Sequence, residues 1–204
     1  MKIVIASGNK DKIAEINDIF EESDFMFLTL DDFSDCPEVI EDGNNLFENA
    51  LKKAKEISEF TGLPAISDDT GLEVDALDGR PGVYSARYAG ENATYSDNVD
   101  KLLREMSGIP TPKRTARFRT VCVFYNGENI VHAEGKVEGK IITARRGDKG
   151  FGYDPVFYIE EWDKTFAEMD KDEKNEISHR GKAFKNLHEI LKNKHLKNIE
   201  DNLT

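Results

Sequence analysis

The stretch from residue 63 to residue 90 constrains this chain most. An apolar run, Leu63, Ala65 and Ile66, leads into two adjacent carboxylates, Asp68 and Asp69, and then into Thr70 and Gly71. An apolar run that ends on acids predicts a buried strand delivering them to a rim, where open sheets of this class bind ligands. Neighbouring acids at such a point repel each other, which a fold tolerates when a cation or a proton sits between them. The pair is therefore a candidate divalent-metal and general-base site. It is also a candidate pair of turn caps, because Asp readily hydrogen-bonds its own backbone where a strand ends.

With 204 residues the chain suits one generous domain or two fused lobes and can bury a sizeable core. No apolar run approaches the roughly 20 residues of a bilayer span. The start MKIVIASGNK is too short in its apolar part for a signal peptide, so a cytoplasmic location is expected. Cys36 and Cys122 show neither a pairing pattern nor metal-ligand spacing, and both are expected to be reduced and structural. The net charge of −12 argues against a nucleic-acid binder and gives no sign of a membrane partner. A small anionic ligand would need a local cluster of Lys and Arg, or a metal, acting against that background.

Along the chain, residues 2–6, KIVIA, predict a strand, and Ile13, Ile16, Ile19 and Phe20 predict a helix from Lys10 to about Glu22. Between them SGNKDK, residues 7–12, forms a small-residue turn at a helix opening, a candidate anion site to which Lys10 and Lys12 add charge. Residues 25–30 predict a second strand. The acidic loop that follows is mostly solvated charge, with Glu41 singled out as a candidate metal ligand and Glu38 as the alternative. A helix is predicted from about Asn44 to Thr61, stopping at Gly62, with Leu46, Ala50, Ala54 and Ile57 on one face and Lys52, Lys53 and Lys55 riding on it.

Beyond the central stretch, turn residues Asp78, Gly79, Pro81 and Gly82 precede a loop carrying Tyr84, Arg87 and Tyr88. A helix over 96–107 has Ser96 as expected N-cap and Gly108 as stop. Residues 114–126, 128–139 and 140–146 predict long strands with glycine turns at 127 and 139. The aromatic and glycine cluster GFGYDPVFY, residues 150–158, can lay a flat ring against Phe151 or Tyr153, or serve simply as core. Ser178 is the expected N-cap of a terminal helix carrying Ala183, Phe184, Leu187, Ile190 and Leu191. His179 and Arg180 in its first turn oppose the helix dipole and point to a ligand or an acidic partner. His132, His188 and His195 are expected at surface or strand positions. The pattern as a whole predicts a mixed fold with two lobes and a cleft.

Five segments in series, SGNKDK, FENALKKA, ISDDTGLEVDALDGRPGVYSARYAG, GFGYDP and EKNEISHRGKA, resemble the inosine/xanthosine triphosphate pyrophosphatases over residues 2 to about 191. That resemblance implies a mixed α/β fold, an elongated central mixed sheet flanked by helices, in a single domain of two lobes with a frayed tail at about 195–204. It implies a homodimer and Mg²⁺-dependent hydrolysis of ITP, dITP or XTP between the α and β phosphates. By the same resemblance Ser7, Gly8, Asn9, Lys10, Asp11, Lys12 and Lys53 would hold the triphosphate. Asp69 would be the general base and share Mg²⁺ with Glu41, Asp68 would tune that pair, and Thr70 would contact substrate where the family more often has Ser. Phe151, Gly152, Tyr153, Asp154, Lys174, His179 and Arg180 would form the base pocket. The alternatives are a non-catalytic nucleotide-binding module, an aspartyl-phosphate phosphatase, disfavoured because its acids are usually one residue apart, and a pyrophosphatase for modified pyrimidines.

Overall fold

The long strands bury side chains where their sequence is β-branched or apolar, and the longer helices turn apolar residues onto the sheet. A computed structural model describes residues 1–20, 23 and 25–201, with side chains as far as residue 193. One sheet of eight strands runs in the order β2-β1-β3-β5-β6-β7-β8, with β4 pairing beside β3. The strands are β1 Lys2–Ile5, β2 Met26–Leu28, β3 Ala65–Val74, β4 Pro81–Gly82, β5 Thr115–Tyr125, β6 Ile130–Ile141, β7 Phe157–Ile159 and β8 Lys164–Thr165. The helices are α1 Lys10–Ile19, α2 Leu46–Thr61, α3 Tyr95–Glu105, α4 Lys171–Ile177 and α5 His179–Asp201. No helix among the described residues is long and apolar enough to cross a membrane.

The chain divides into two compact units. The first comprises Met1–Asp69, Thr120–Gly135 and Arg180–Thr204, and the second Thr70–Arg119 and Lys136–His179.

In the first unit β1 pairs in parallel with both β2 and β3, Ile5 standing opposite Ile66. Ile3, Ile5 and Ile66 pack with Ile16 of α1 and with Ala183, Phe184 and Leu187 of α5. Val4, Ala6 and Ala65 pack instead with Ile57 of α2. The sheet here has α1 and α5 on one face and α2 on the other. Cys122 lies buried and Cys36 half-buried in a loop, both as free thiols.

In the second unit Leu72 and Val74 of β3 meet Val99, Leu102 and Met106 of α3, together with Phe118, Val137, Phe157 and Phe166. Buried Arg114 fastens the end of α3 to β6, donating to the carbonyls of Met106 at 2.7 Å and Ile141 at 2.6 Å.

Several element limits differ from expectation. The strand through Asp68 and Asp69 does not end on them but continues to Val74; what ends is its neighbour β1, so the acids stand beyond the carboxyl edge of that strand. Thr94 rather than Ser96 caps α3, through a reciprocal pair with Asp97. Asn45 caps α2, and Gly62, with φ 68°, closes it. The short helix α4 was not foreseen; its cap is Asp170. The expected helix end near Glu22, the side chain of His195 and residues 202–204 lie outside the described residues, while residues 195–201 of the tail expected at about 195–204 belong to α5.

The two strands expected over 128–139 and 140–146 are one, β6, and Gly139 makes no turn. Its lack of a side chain admits Phe157: a Cβ at residue 139 would stand 2.7 Å from the Phe157 ring and 2.7 Å from the Tyr158 carbonyl oxygen. Overpacking of this kind costs about 1–3 kcal/mol. Gly139→Ala is expected to lower the urea midpoint accordingly without changing the slope of the transition.

Candidate functional site

Successive residues of a strand point to opposite faces, and in the first unit this separates Asp68 from Asp69. Ser67 and Asp69 turn toward α2. Ser67 Oγ donates to the Ala50 carbonyl at 2.5 Å, and Asp69 Oδ2 accepts from Asn49 Nδ2 at 3.0 Å. Asp68 turns toward α1 and α5, where its Oδ2 lies 3.2 Å from Lys12 Nζ and 3.3 Å from Arg180 Nε. The sheet therefore gives the two acids different nearest hydrogen-bonding partners, while Lys12 and Lys53 act electrostatically on both.

Those partners push the two carboxyls apart. Burial would raise Asp68, but Lys12 and Arg180 overcome it and hold the group well below the usual carboxylate range. Asp69 is raised, chiefly by burial, which Lys53 and Lys12 offset only in part while Glu41 adds to it. Two neighbouring carboxyls displaced in opposite directions can divide acid-base labour, one fixed as an anion and the other able to take a proton.

On the α2 face, Lys53 is held 8% exposed and donates to the Asp68 carbonyl at 2.7 Å and to the Glu41 carboxylate. Burial disfavours its charge, yet Asp69, Glu41 and Asp68 together raise it above the ordinary lysine value. Glu41 responds in kind: burial opposes ionisation, and Lys53 lowers it nonetheless. Glu38, the alternative ligand, is exposed. Lys52 pairs with Asp42 at 2.7 Å on the surface, and Lys55 lies over the Tyr125 ring.

On the α1 face, the turn Ser7–Lys12 caps itself. Asn9 Oδ1 accepts from the N–H groups of Asp11 at 3.0 Å and Lys12 at 3.2 Å, and Ser7 Oγ accepts from Asn9 N–H. Asn9, expected to bind an anion directly, is therefore the helix N-cap. Gly8, Lys10 and Asp11 are exposed, whereas Lys12 is largely buried; burial lowers its pKa against the pull of Asp68.

Arg180, expected in the base pocket, pairs with Asp68 and Glu15. A guanidinium only 2% exposed requires such counterions, and their charge raises its pKa further despite burial. The acidic partner expected for this helix opening is thus supplied by the chain itself.

The second unit holds a separate group. Lys174 Nζ lies 2.8 Å from Asp154 Oδ2 and 5.1 Å from the centre of the Phe151 ring. The same Asp154 oxygen accepts from Phe151 N–H at 2.9 Å. Gly150, with φ 71°, is required here, because a Cβ would collide with Asp154. Phe151, Asp154 and Lys174 are therefore brought together as expected. Tyr153 is buried and donates from its hydroxyl to the Ser85 carbonyl at 2.9 Å; Gly152 adopts φ 63° beside it. His179 stacks on Phe118 with ring centres 4.6 Å apart. Half-buried Thr70 follows Asp69 on β3. Arg87 lies over Tyr84 and 3.9 Å from Glu91.

Asn49, Ser67 and Glu15 escaped the sequence reading. A signal for Asn49 was present: Asn49 and Lys53 interrupt the apolar stripe of α2 at the same three- and four-residue spacing as Leu46, Ala50, Ala54 and Ile57. A polar group on a core-facing stripe needs a partner.

Among the described residues no three His, Cys, Asp or Glu side chains form a cluster able to hold a metal ion. Mg²⁺ asks for less, since one or two carboxylates commonly suffice when water and substrate phosphates complete the shell. Glu41 and Asp69 are hard oxygen donors that interact with each other and with Lys53, and so fit that demand. The charge balance agrees. Glu15, Glu41, Asp68 and Asp69 face Lys12, Lys53 and Arg180, leaving one negative charge in excess. A polyphosphate approaching this group gains from an accompanying divalent cation.

Because the folded Asp68 carboxyl titrates below its unfolded counterpart, its stabilising contribution is complete above about pH 4 and fades as pH falls below that. Removing one partner of a buried ion pair costs about 3–5 kcal/mol. Asp68→Asn should show a deficit of that order in urea unfolding at neutral pH and a smaller deficit at about pH 3.

The chain matches the model of the Ham1 family over residues 3–190. It is 48% identical over 192 residues to a dITP/XTP pyrophosphatase of Desulforamulus reducens, an alignment covering 94% of this chain and 96% of that protein. A dITP/XTP pyrophosphatase of Geobacter sulfurreducens is also 48% identical, with 93% and 96% covered. Among solved structures, a HAM1 protein from Coxiella burnetii superposes with a TM-score of 0.86 at 39% identity, covering 95% of this chain and 99% of its own. With the match running through both units, the chain belongs to the Ham1 family.

Proposed function

We propose that this protein is a nucleoside-triphosphate pyrophosphatase. It hydrolyses deaminated purine nucleoside triphosphates, ITP, dITP and XTP, between the α and β phosphates and releases the monophosphate and pyrophosphate. The observation that carries the reading is near-half identity, over almost the whole chain, to proteins named dITP/XTP pyrophosphatase. The opposite displacement of the two neighbouring carboxyls supports it with a chemical division of labour.

In this reading the triphosphate meets the first unit, where Lys12 and Lys53 offer charge and the Ser7–Lys12 turn offers its backbone. Glu41 and Asp69 would hold Mg²⁺, which when bound would supply charge neutralisation and a more acidic water. Asp69 takes that water's proton as general base. Asp68 stays ionised and keeps Lys12 and Arg180 in place. Arg180 acts through that ion pair rather than as a reader of the base.

The purine is read by the group of the second unit. Phe151 offers a ring face, and the ammonium of Lys174, steadied by Asp154, donates toward the 6-oxo oxygen. The 6-amino group of adenine would meet a donor with a donor, which discriminates strongly. His179, held flat on Phe118, and Tyr153, fixed to the Ser85 carbonyl, shape this group. The reading extends to a cytoplasmic homodimer, as the family resemblance implies.

Incubation with a panel of triphosphates and Mg²⁺ tests the proposal: pyrophosphate from ITP, dITP and XTP, with little from ATP, is expected, and orthophosphate from ITP would refute it. Asp69→Asn should lower kcat by about 10²- to 10⁴-fold while nucleotide still binds. Parental turnover in that variant would refute this mechanism.

A further inference from the structure

Asn49 is fully buried on the core-facing stripe of α2, and the steps above do not use it. Its side chain is committed at both ends: Nδ2 donates to Asp69 Oδ2 at 3.0 Å, and Oδ1 accepts from Gly43 N–H at 2.8 Å. One turn further along α2, Lys53 makes a parallel bridge between the Glu41 carboxylate and the Asp68 carbonyl. The acidic segment 41–43 is thus tied to β3 twice, each time through a side chain of one rigid helix. A second observation points the same way. A Cβ on residue 43 would stand 2.7 Å from Asn49 Oδ1 and 2.8 Å from Glu48 Cβ, so only glycine lets the segment approach this closely.

We propose that Asn49 is a positioning residue, setting the plane of the Asp69 carboxylate and the distance of the Glu41 segment from it, so that both acids serve one Mg²⁺. Anchoring Oδ2 to an amide fixes where Oδ1 lies as well. Partners behind metal-binding carboxylates act in this way, and their loss typically costs 10- to 100-fold in metal affinity or activity. The inference rests on the pyrophosphatase reading above.

Two variants separate positioning from mere filling of space. Asn49→Leu keeps the volume and removes both hydrogen bonds, and Gly43→Ala leaves Asn49 intact but drives the segment away from it. Both are expected to lower kcat for dITP by about 10- to 100-fold, with KM within about twofold of the parent. Calorimetric titration with Mg²⁺ alone, on the substrate-free protein, should show affinity reduced by about tenfold or more in each. Parental kcat and Mg²⁺ affinity in either variant would overturn the inference. So would losses accounted for by the unfolded fraction that thermal melting measures at the assay temperature. Failure of the parent protein to release pyrophosphate from dITP would instead refute the reading on which the inference rests.

Discussion

The organisation of the first unit depends on the ion pairing of Asp68 with Lys12 and Arg180 beyond the carboxyl edge of β1. A lone buried carboxylate or guanidinium is costly, because neither recovers in the interior the hydration it gives up. Three elements therefore answer to one acid. Lys12 comes from α1, Arg180 from α5, and Glu15, three residues after Lys12 on α1, gives Arg180 its second carboxylate. The apolar contacts of Ile16, Phe184 and Leu187 bring the two helices onto the sheet. The charges fix where along the sheet they stop, since a displacement of either helix would leave a buried charge without its counterion.

The same arithmetic of faces makes Asp69 chemically different from its neighbour. A difference of one residue along β3 exchanges two cations for a neutral amide as the nearest hydrogen-bonding company. Burial then dominates at Asp69 and charge dominates at Asp68. Two identical side chains are thus displaced in opposite directions without any special residue. The requirement is only that the strand continue through both of them, as β3 does to Val74.

Much of this was legible in the sequence, and the reasons for the gaps are physical. Strand β1, helix α2 and its Gly62 stop follow from hydrophobic period and from glycine's access to positive φ, both of which are local properties. The continuation of β3 past its acids was illegible because it rests on the pairing of Leu72 and Glu73 with Gly82 and Pro81, which no local pattern encodes. Gly139 read as a turn, since a glycine between two apolar segments looks the same whether the chain reverses there or admits Phe157. The Lys174, Asp154 and Phe151 group was anticipated as a set, whereas the pairing of Arg180 with Asp68 and Glu15, both distant in sequence, was not.

In the proposed reading the second unit supplies selectivity without a dedicated acceptor. An ammonium carries three donor hydrogens and no lone pair. Asp154 fixes the position of the Lys174 ammonium through an oxygen that also receives the Phe151 N–H, so the cation and the ring are placed by one carboxylate. The aromatic faces of Phe151 and Phe166 lie beside that cation, a surrounding in which an unmatched polar group is expensive. A 6-oxo purine presents an acceptor to such a group and adenine presents a donor. In the proposed reading the distinction would follow from the chemistry of lysine itself, with Asp154 holding it still.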